Sequence, residues 1–324
     1  MRNTNVLSKS MFIAAAPLVL AAACKPNLGD PPSVVNSARL LAVRGVPAEA
    51  AQGESVTYDV LAADTDGRIA IPPVTWATCH EPKPPAEANA VSAACLTIPD
   101  ETPQPQPTFT ADMPAKACKQ FGPQPPEVEA GKPPIRPRDP DVTGGFYQPV
   151  RAILQGGTIA FALERIKCPL ANAPVDITGM FNMTYKANVN PTLKSVTLDP
   201  DGTPQDLFVK DQPQVPHSVS SGAAVTLATT WTDDTPESYP VFNTTTQQLD
   251  THREALSVSW YATGGTFDHD RTGRGEAETE VTTTNVWTAP EVVEKTTVHL
   301  FVVLRDSRGG VDFAGFDLEV DPAQ

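Results

Sequence analysis

A threefold pattern of short blocks, repeated once along the chain, limits its folding more than any other feature. The first set reads ARLLAVRGVP (38–47), GESVTYDVLAAD (53–64) and VTWATC (74–79). The second reads LKSVTLDPDG (193–202), GAAVTLATTWTDD (222–234) and VSWYAT (258–263). The order recurs, and each set closes on a tryptophan, Trp76 or Trp260. Recurrence of three blocks in the same order implies two copies of one structural unit. Within the blocks Val56, Tyr58 and Val60 alternate with Ser55, Thr57 and Asp59, and Val225, Leu227 and Thr229 alternate in the same way. Period two with β-branched and aromatic residues marks half-buried strands. Trp76 and Trp260 are therefore expected in cores, while sequence leaves Trp231 and Trp287 undecided.

Farther on, Phe146-Tyr-Gln-Pro149 stands where Trp287-Thr-Ala-Pro290 stands. Each is followed by an apolar strand, from Thr158 and from Thr296. Residues 298–304 are apolar on both faces, as in a central strand. The last strand, from Val311 to Val320, changes phase near Gly315, which predicts a bulge or bend there. DTDG (64–67), DPDG (199–202) and SRGG (307–310) carry turn chemistry. No segment beyond the leader has a helical period.

Short strands, regular turns and a mid-unit tryptophan predict an all-β chain of two tandem immunoglobulin-like sandwiches. The expected bounds are 37–187 and 190–322. The second unit resembles bacterial Ig-like modules of the Big or polycystic-kidney-disease kind, through VSWYATGGTF (258–267), NVWTAP (285–290) and VVLRDSRGGV (302–311). That resemblance implies a fold and carries almost nothing about activity, since such modules occur in adhesins, enzymes and scaffolds alike.

The first unit carries an insertion over 80–145 with nearly half of the chain's 34 prolines. Proline favours extended chain and is kept out of central strands. So long a loop is expected to be a partner-binding element or a cover over sheet edges. Cys79, Cys95, Cys118 and Cys168 surround and occupy it. Four cysteines in an exported chain predict two disulfides, and no CxxC or HxxxH spacing supports zinc. Spacing alone does not fix the pairing. If Cys79 and Cys168 end different strands at opposite ends of the sandwich, the pairs are Cys79–Cys95 and Cys118–Cys168.

The chain opens with a basic start (Arg2, Lys9), an apolar run from Met11, and Leu20-Ala21-Ala22-Ala23-Cys24. This order reads as a signal peptide, 1–23, too short to span a bilayer. A cysteine after small residues resembles the lipobox of bacterial lipoproteins, with Ala21 where leucine is usual. The resemblance implies acylation of Cys24, a tether over 24–36, and, because Lys25 follows, an outer-membrane address facing the periplasm or the surface. The full chain carries a formal charge of −14 from 24 basic and 38 acidic residues. Loss of Arg2 and Lys9 with the leader leaves 22 against 38, or −16. Such a surface repels phosphate backbones and anionic lipid, which excludes nucleic acid as a partner and leaves the acyl chains as the membrane anchor.

No nucleophile elbow, phosphate loop or HExxH spacing is present. Asp233 and Asp234 are adjacent, so on a strand they would face opposite ways and could not flank one bond. His269, between Asp268 and Asp270, reads as a loop residue. Weak calcium candidates are Asp64, Asp66, Asp199 and Asp201, each already explained by a turn; Asp64-Thr-Asp66-Gly67 begins like an EF-hand loop but lacks its later ligands. No cofactor is expected. The expected function is a non-catalytic envelope module that binds a protein or envelope polymer, or gives structure. The alternatives are an accessory lipoprotein of an outer-membrane transport or motility complex, and a hydrolase.

Overall fold

A computed structural model describes residues 30–80, 91–120, 142–170, 173–199 and 202–323. The leader, Cys24 and Asp201 lie outside the described residues. Two units separate, Met1–Pro31 and Pro32–Gln324, and all that follows concerns the second.

The chain is all-β. In the first sandwich one sheet holds β1 (Arg39–Val46), β3 (Ser55–Asp64), the short β4 (Gly67–Arg68) and β6 (Thr108–Asp112). The other runs β2 (Glu49–Ala50), β8 (Ile159–Lys167), β7 (Gly145–Leu154) and β5 (Val74–Thr78). The second sandwich pairs β10 (Gln205–Val209), β9 (Leu193–Asp199), β12 (Ala224–Trp231), β18 (Thr282–Thr288) and β16 (Thr266–Phe267) in one sheet. Its other sheet runs β11 (Ser218–Ser220), β20 (Val311–Asp321), β19 (Thr296–Asp306), β15 (Leu256–Ala262) and β17 (Arg271–Arg274). Between β12 and β15 stands a separate ribbon, β13 (Ser238–Asn243) with β14 (Gln248–Arg253).

The two sandwiches share one immunoglobulin-like wiring. β2 lies parallel to β8 as β11 lies parallel to β20. β3 pairs β6 as β12 pairs β18, and β5 pairs β7 as β15 pairs β19. The repeated blocks are thus β1, β3, β5 and β9, β12, β15. The later correspondence is one strand out of step. Phe146 lies on β7, whose counterpart is β19, whereas Trp287 lies on β18, whose counterpart is β6. The Phe-Tyr-Gln-Pro and Trp-Thr-Ala-Pro motifs are alike only in sequence.

The missing partner of β18 lies inside the proline-rich segment. Phe109 and Ala111 of β6 point into the core, and Phe109 stacks on Trp76 at 5.8 Å. β6 pairs only β3, so prolines on either side remove no central ladder bond. Residues 101–106 then run along the outer edge of β5. Thr102 Oγ1 accepts the N–H of Trp76 (3.1 Å), Glu101 Oε1 that of Thr78 (2.6 Å), and Gln106 donates its N–H to the carbonyl of Val74 (2.8 Å). An edge that would otherwise template foreign strands is covered. Disulfides join Cys79 to Cys95 and Cys118 to Cys168, with Cα atoms 5.4 and 5.6 Å apart.

The cores hold all four tryptophans, including Trp231 and Trp287, at 0% exposure. A third apolar cluster joins the sandwiches face to face. Leu41, Ala42, Leu61 and Ala63 of β1 and β3 meet Phe301, Val303 and Val311 of β19 and β20. The β1–β3 sheet therefore buries both faces, which is why Val60-Leu61-Ala62-Ala63 does not alternate. The same contact explains the phase change in β20. Val311 faces the first sandwich, and Phe316, Leu318 and Val320 face their own core. The β19–β20 register runs through Gly315 without a shift, so the expected bulge is absent. Gly315 serves a close approach instead: a Cβ there would lie 2.9 Å from the Phe301 ring. Ser33 and Val35 are also fixed on the second sandwich, where Val35 donates to the carbonyl of Ala262 (2.8 Å) and Ala262 to that of Ser33 (2.9 Å).

Candidate functional site

Among the described residues two α-helices interrupt the β-structure, contrary to the absence of helical signal in the sequence. One is a single turn, α1 (Ala117–Gln120), carrying Cys118. The other, α2 (Val175–Thr184), leads from the first sandwich toward the second. Its residues explain its invisibility. Only Ile177 and Phe181 are buried, one turn apart, while Val175, Met180 and Met183 face solvent. Pro174 offers no side-chain cap, and Gly179 costs about 1 kcal/mol against alanine. Packing makes this helix: Ile177, Phe181 and Tyr185 close a small core with Leu170 and with Phe242 of β13.

α2 and the β13–β14 ribbon flank an open groove of ≈ 760 Å³. Its apolar lining comes from Ile177, Met180, Met183, Tyr239 and Leu249. The turn of the ribbon is set by Asn243, whose Oδ1 accepts the N–H groups of Thr245 (3.0 Å) and Thr246 (3.1 Å). Asp176 and Asp250 stand in the lining, and among the described residues no lysine, arginine or histidine does. Asp250 accepts one bond from Asn243 Nδ2 at 2.9 Å.

Behind the groove lies a buried ionic cluster that ties both sandwiches to the connecting segment. Glu49 of β2 accepts from Tyr185 Oη (2.5 and 2.6 Å) and from the N–H of Asn188 (2.8 Å), with Arg165 Nε at 3.4 Å. Arg308, in the β19–β20 hairpin, reaches Glu254 (2.6 Å), Glu237 (2.8 Å) and Glu49 (3.9 Å). Its guanidinium lies 4.8 Å from the centre of the Tyr239 ring, so the cluster and the groove share a wall. Arg44 adds a second tie, to Asp59 (2.7 Å) and across the junction to Asp312 (2.9 Å). Burial is the main cause that pushes Glu254 up to about 7, with Asp306 adding to it and Arg308 opposing it. Burial likewise pushes Tyr185 well above the usual phenol range.

Other candidate residues take local roles. Asp64 accepts the N–H of Asp66 (2.9 Å) and Asp199 that of Gly202 (2.5 Å). Asp233 and Asp234 occupy a turn after β12. His299 meets its cross-strand neighbour Asp317 at 2.7 Å, and His269 is held through its backbone by Asn285. Among the described residues no group of three or more His, Cys, Asp or Glu side chains is placed to hold a metal ion, and no helix is long and apolar enough to cross a membrane. Of the 80–145 segment, residues 101–112 are built into the first sandwich as a cover for β5 and as β6. Neither the groove nor the ionic cluster was expected. Met180 and Met183 carry no motif, and Arg308 looks like an ordinary turn residue. Glu164-Arg165 inside an apolar strand was the one visible signal.

No family model matches the chain, and no curated protein matches it. Solved structures give weak likenesses. A nucleoside hydrolase-related hypothetical protein from Saccharophagus degradans, associated with carbohydrate metabolism, is 13% identical with a TM-score of 0.23, over 42% of this chain and 26% of that one. The D00-D0 domain of intimin is 9% identical with a TM-score of 0.23, over 86% and 96%. The Yersinia pseudotuberculosis adhesin InvE is 8% identical with a TM-score of 0.22, over 86% and 58%. The chain therefore spans less than two thirds of the first and third of these proteins. Likenesses at this level carry no functional argument.

Proposed function

We propose that this chain is a lipid-anchored, non-catalytic protein of the bacterial outer membrane that acts as a binding or structural module. The observation that carries the reading is the fusion of its two sandwiches. A shared apolar cluster and a buried ionic cluster make residues 32–324 one compact unit, a stiff platform on which the groove beside α2 is held. The Leu20-Ala21-Ala22-Ala23-Cys24 sequence supports acylation at Cys24, and the acidic composition leaves the acyl chains as the route to the membrane. The Cys24→Ala variant is expected to lose acyl labelling and to leave the membrane fraction. Unchanged labelling and fractionation would overturn the anchor.

One feature favours the second reading, an accessory subunit docked on a larger envelope complex. On the outer face of the β7–β8 pair, Tyr147, Ile159 and Leu163 are 37%, 47% and 37% exposed. Pro149 opposite Leu163 extends that face; beyond it Arg151, opposite Phe161, is buried under Cys95, Leu96 and Asp100, and Ile153 opposite Ile159 lies on the far side of that cover. An apolar sheet face of this kind suits a protein contact. Crosslinking in intact cells from a site beside Leu163 would trap a single partner on this reading.

A further inference from the structure

Among the described residues that line it, the groove between α2 and the ribbon is apolar in its larger side chains and acidic in its charged ones. Met180 and Met183 lie three residues apart on one helix face, 42% and 80% exposed. Methionine is flexible and polarisable, and a surface that offers it to solvent adapts to varied apolar side chains. Tyr239 and Leu249 form the opposite wall. A volume of ≈ 760 Å³ is in the range of sites that enclose a ligand's side chains. Asp176 and Asp250 supply negative charge, with no cation among the described lining residues to balance it. We infer that the groove receives a cationic amphipathic segment of a partner polypeptide, its apolar side chains between the two methionines and Leu249, its lysines or arginines toward Asp176 and Asp250. Charge complementarity selects this occupant. A second copy of the chain would bring a formal charge of −14 against an acidic groove, and an acidic peptide would meet the same repulsion.

The inference rests on the reading of the chain as a binding module, but its test is independent of the lipid. The full chain in detergent is titrated with a synthetic decapeptide of alternating leucine and lysine, and with a leucine–glutamate decapeptide as control. Saturable one-to-one binding of the lysine peptide is expected, with the glutamate peptide at least about tenfold weaker. Met183→Asn and Asp250→Lys should each weaken the lysine peptide about tenfold, and Asp250→Lys should narrow the preference between peptides. Both side chains are solvent-exposed, and an unchanged melting temperature confirms that the variants fold. Asp233→Lys, a charge-matched change in a turn outside the groove lining, should leave the affinity unaltered. Equal binding of both peptides, or a loss with Asp233→Lys as large as with Asp250→Lys, would reduce the effect to general acidity and overturn the inference. So would a dimer in sedimentation that Met183→Asn dissolves, which would assign the groove to a second copy. None of these outcomes bears on fractionation of Cys24→Ala, so the anchor and the groove stand or fall separately.

Discussion

Glu164 sits on β8 with its side chain turned into the core of the first sandwich, 4% exposed, beside the fully buried Tyr58. Its neighbour Arg165 points the other way, into the junction, as successive strand residues must. Room for the carboxyl depends on Gly45, where a Cβ would overlap Glu164 Oε2, well inside van der Waals contact. Burial is the main cause that pushes this carboxyl up to about 8; the bond from Tyr58 opposes the shift, and Glu49 and Glu54 add to it. The folded state therefore holds the Glu164 proton more tightly than the unfolded chain, whose carboxyl titrates near 4.5. Its stabilising contribution is complete below pH 4.5 and is lost as the pH rises to about 8. Glu254, raised to about 7, acts in the same direction. Unfolding free energies from urea titrations across this window should fall with rising pH in the unmodified protein, by about a few kcal/mol in total. In Glu164→Gln, which keeps an acceptor for Tyr58, the slope should shrink, with the largest gain over the parent at pH 8. Parallel curves for the two proteins would show that this carboxyl does not set the slope.

At the scale of elements, the proline-rich segment is where sequence and structure diverge most usefully. Its composition correctly signals chain kept out of central strands, yet it supplies an edge strand and a cover for β5. The Cys79–Cys95 bond closes a loop of sequence separation 16 at the start of that cover. Paired Cys79→Ser and Cys95→Ser changes should cost about 3 kcal/mol through the unfolded chain. They should also speed hydrogen exchange at the amides of Trp76 and Thr78, whose acceptors are Thr102 and Glu101. Exchange as slow as in the parent would mean that the cover is held without the disulfide. What sequence made legible follows from period. β12, β15 and the first half of β3 (55–59) alternate because one face there is solvated or half-buried, and the tryptophan blocks locate both cores. β6 was hidden because five residues between prolines give too few turns of the pattern. α2 was hidden because its buried side is only Ile177 and Phe181. The bend assigned to Gly315 followed from the assumption that β20 has a single buried face.

At the scale of the whole molecule, that second buried face matters most. Tandem sandwiches joined end to end would leave Leu61, Phe301 and Val303 to solvent; here they are 0–2% exposed. The charged residues at the same junction are as deeply buried, Arg165 and Arg308 at 1% and 2%. Buried ions cost more to desolvate than their attraction returns unless every partner is present, so removing one is severe. Arg308→Met leaves Glu254 without its guanidinium and should lower stability by about 3–5 kcal/mol. Because Arg308 belongs to the second sandwich and also approaches Glu49 of the first, the loss should be felt by both. Calorimetry of the parent should show one cooperative transition, and that of Arg308→Met one transition at lower temperature. Two resolved transitions in the parent, with only one shifted by the substitution, would show that the sandwiches unfold independently. The double variant Arg308→Met with Glu254→Leu separates the two contributions. It removes the charge left stranded, so it should recover much of the lost stability. If the cluster's role is to fix the relative placement of the sandwiches and the ribbon, the recovered protein should still lose the sharp shape of the groove. Leucine–lysine peptide binding should then remain weaker than in the parent even where the melting temperature has returned.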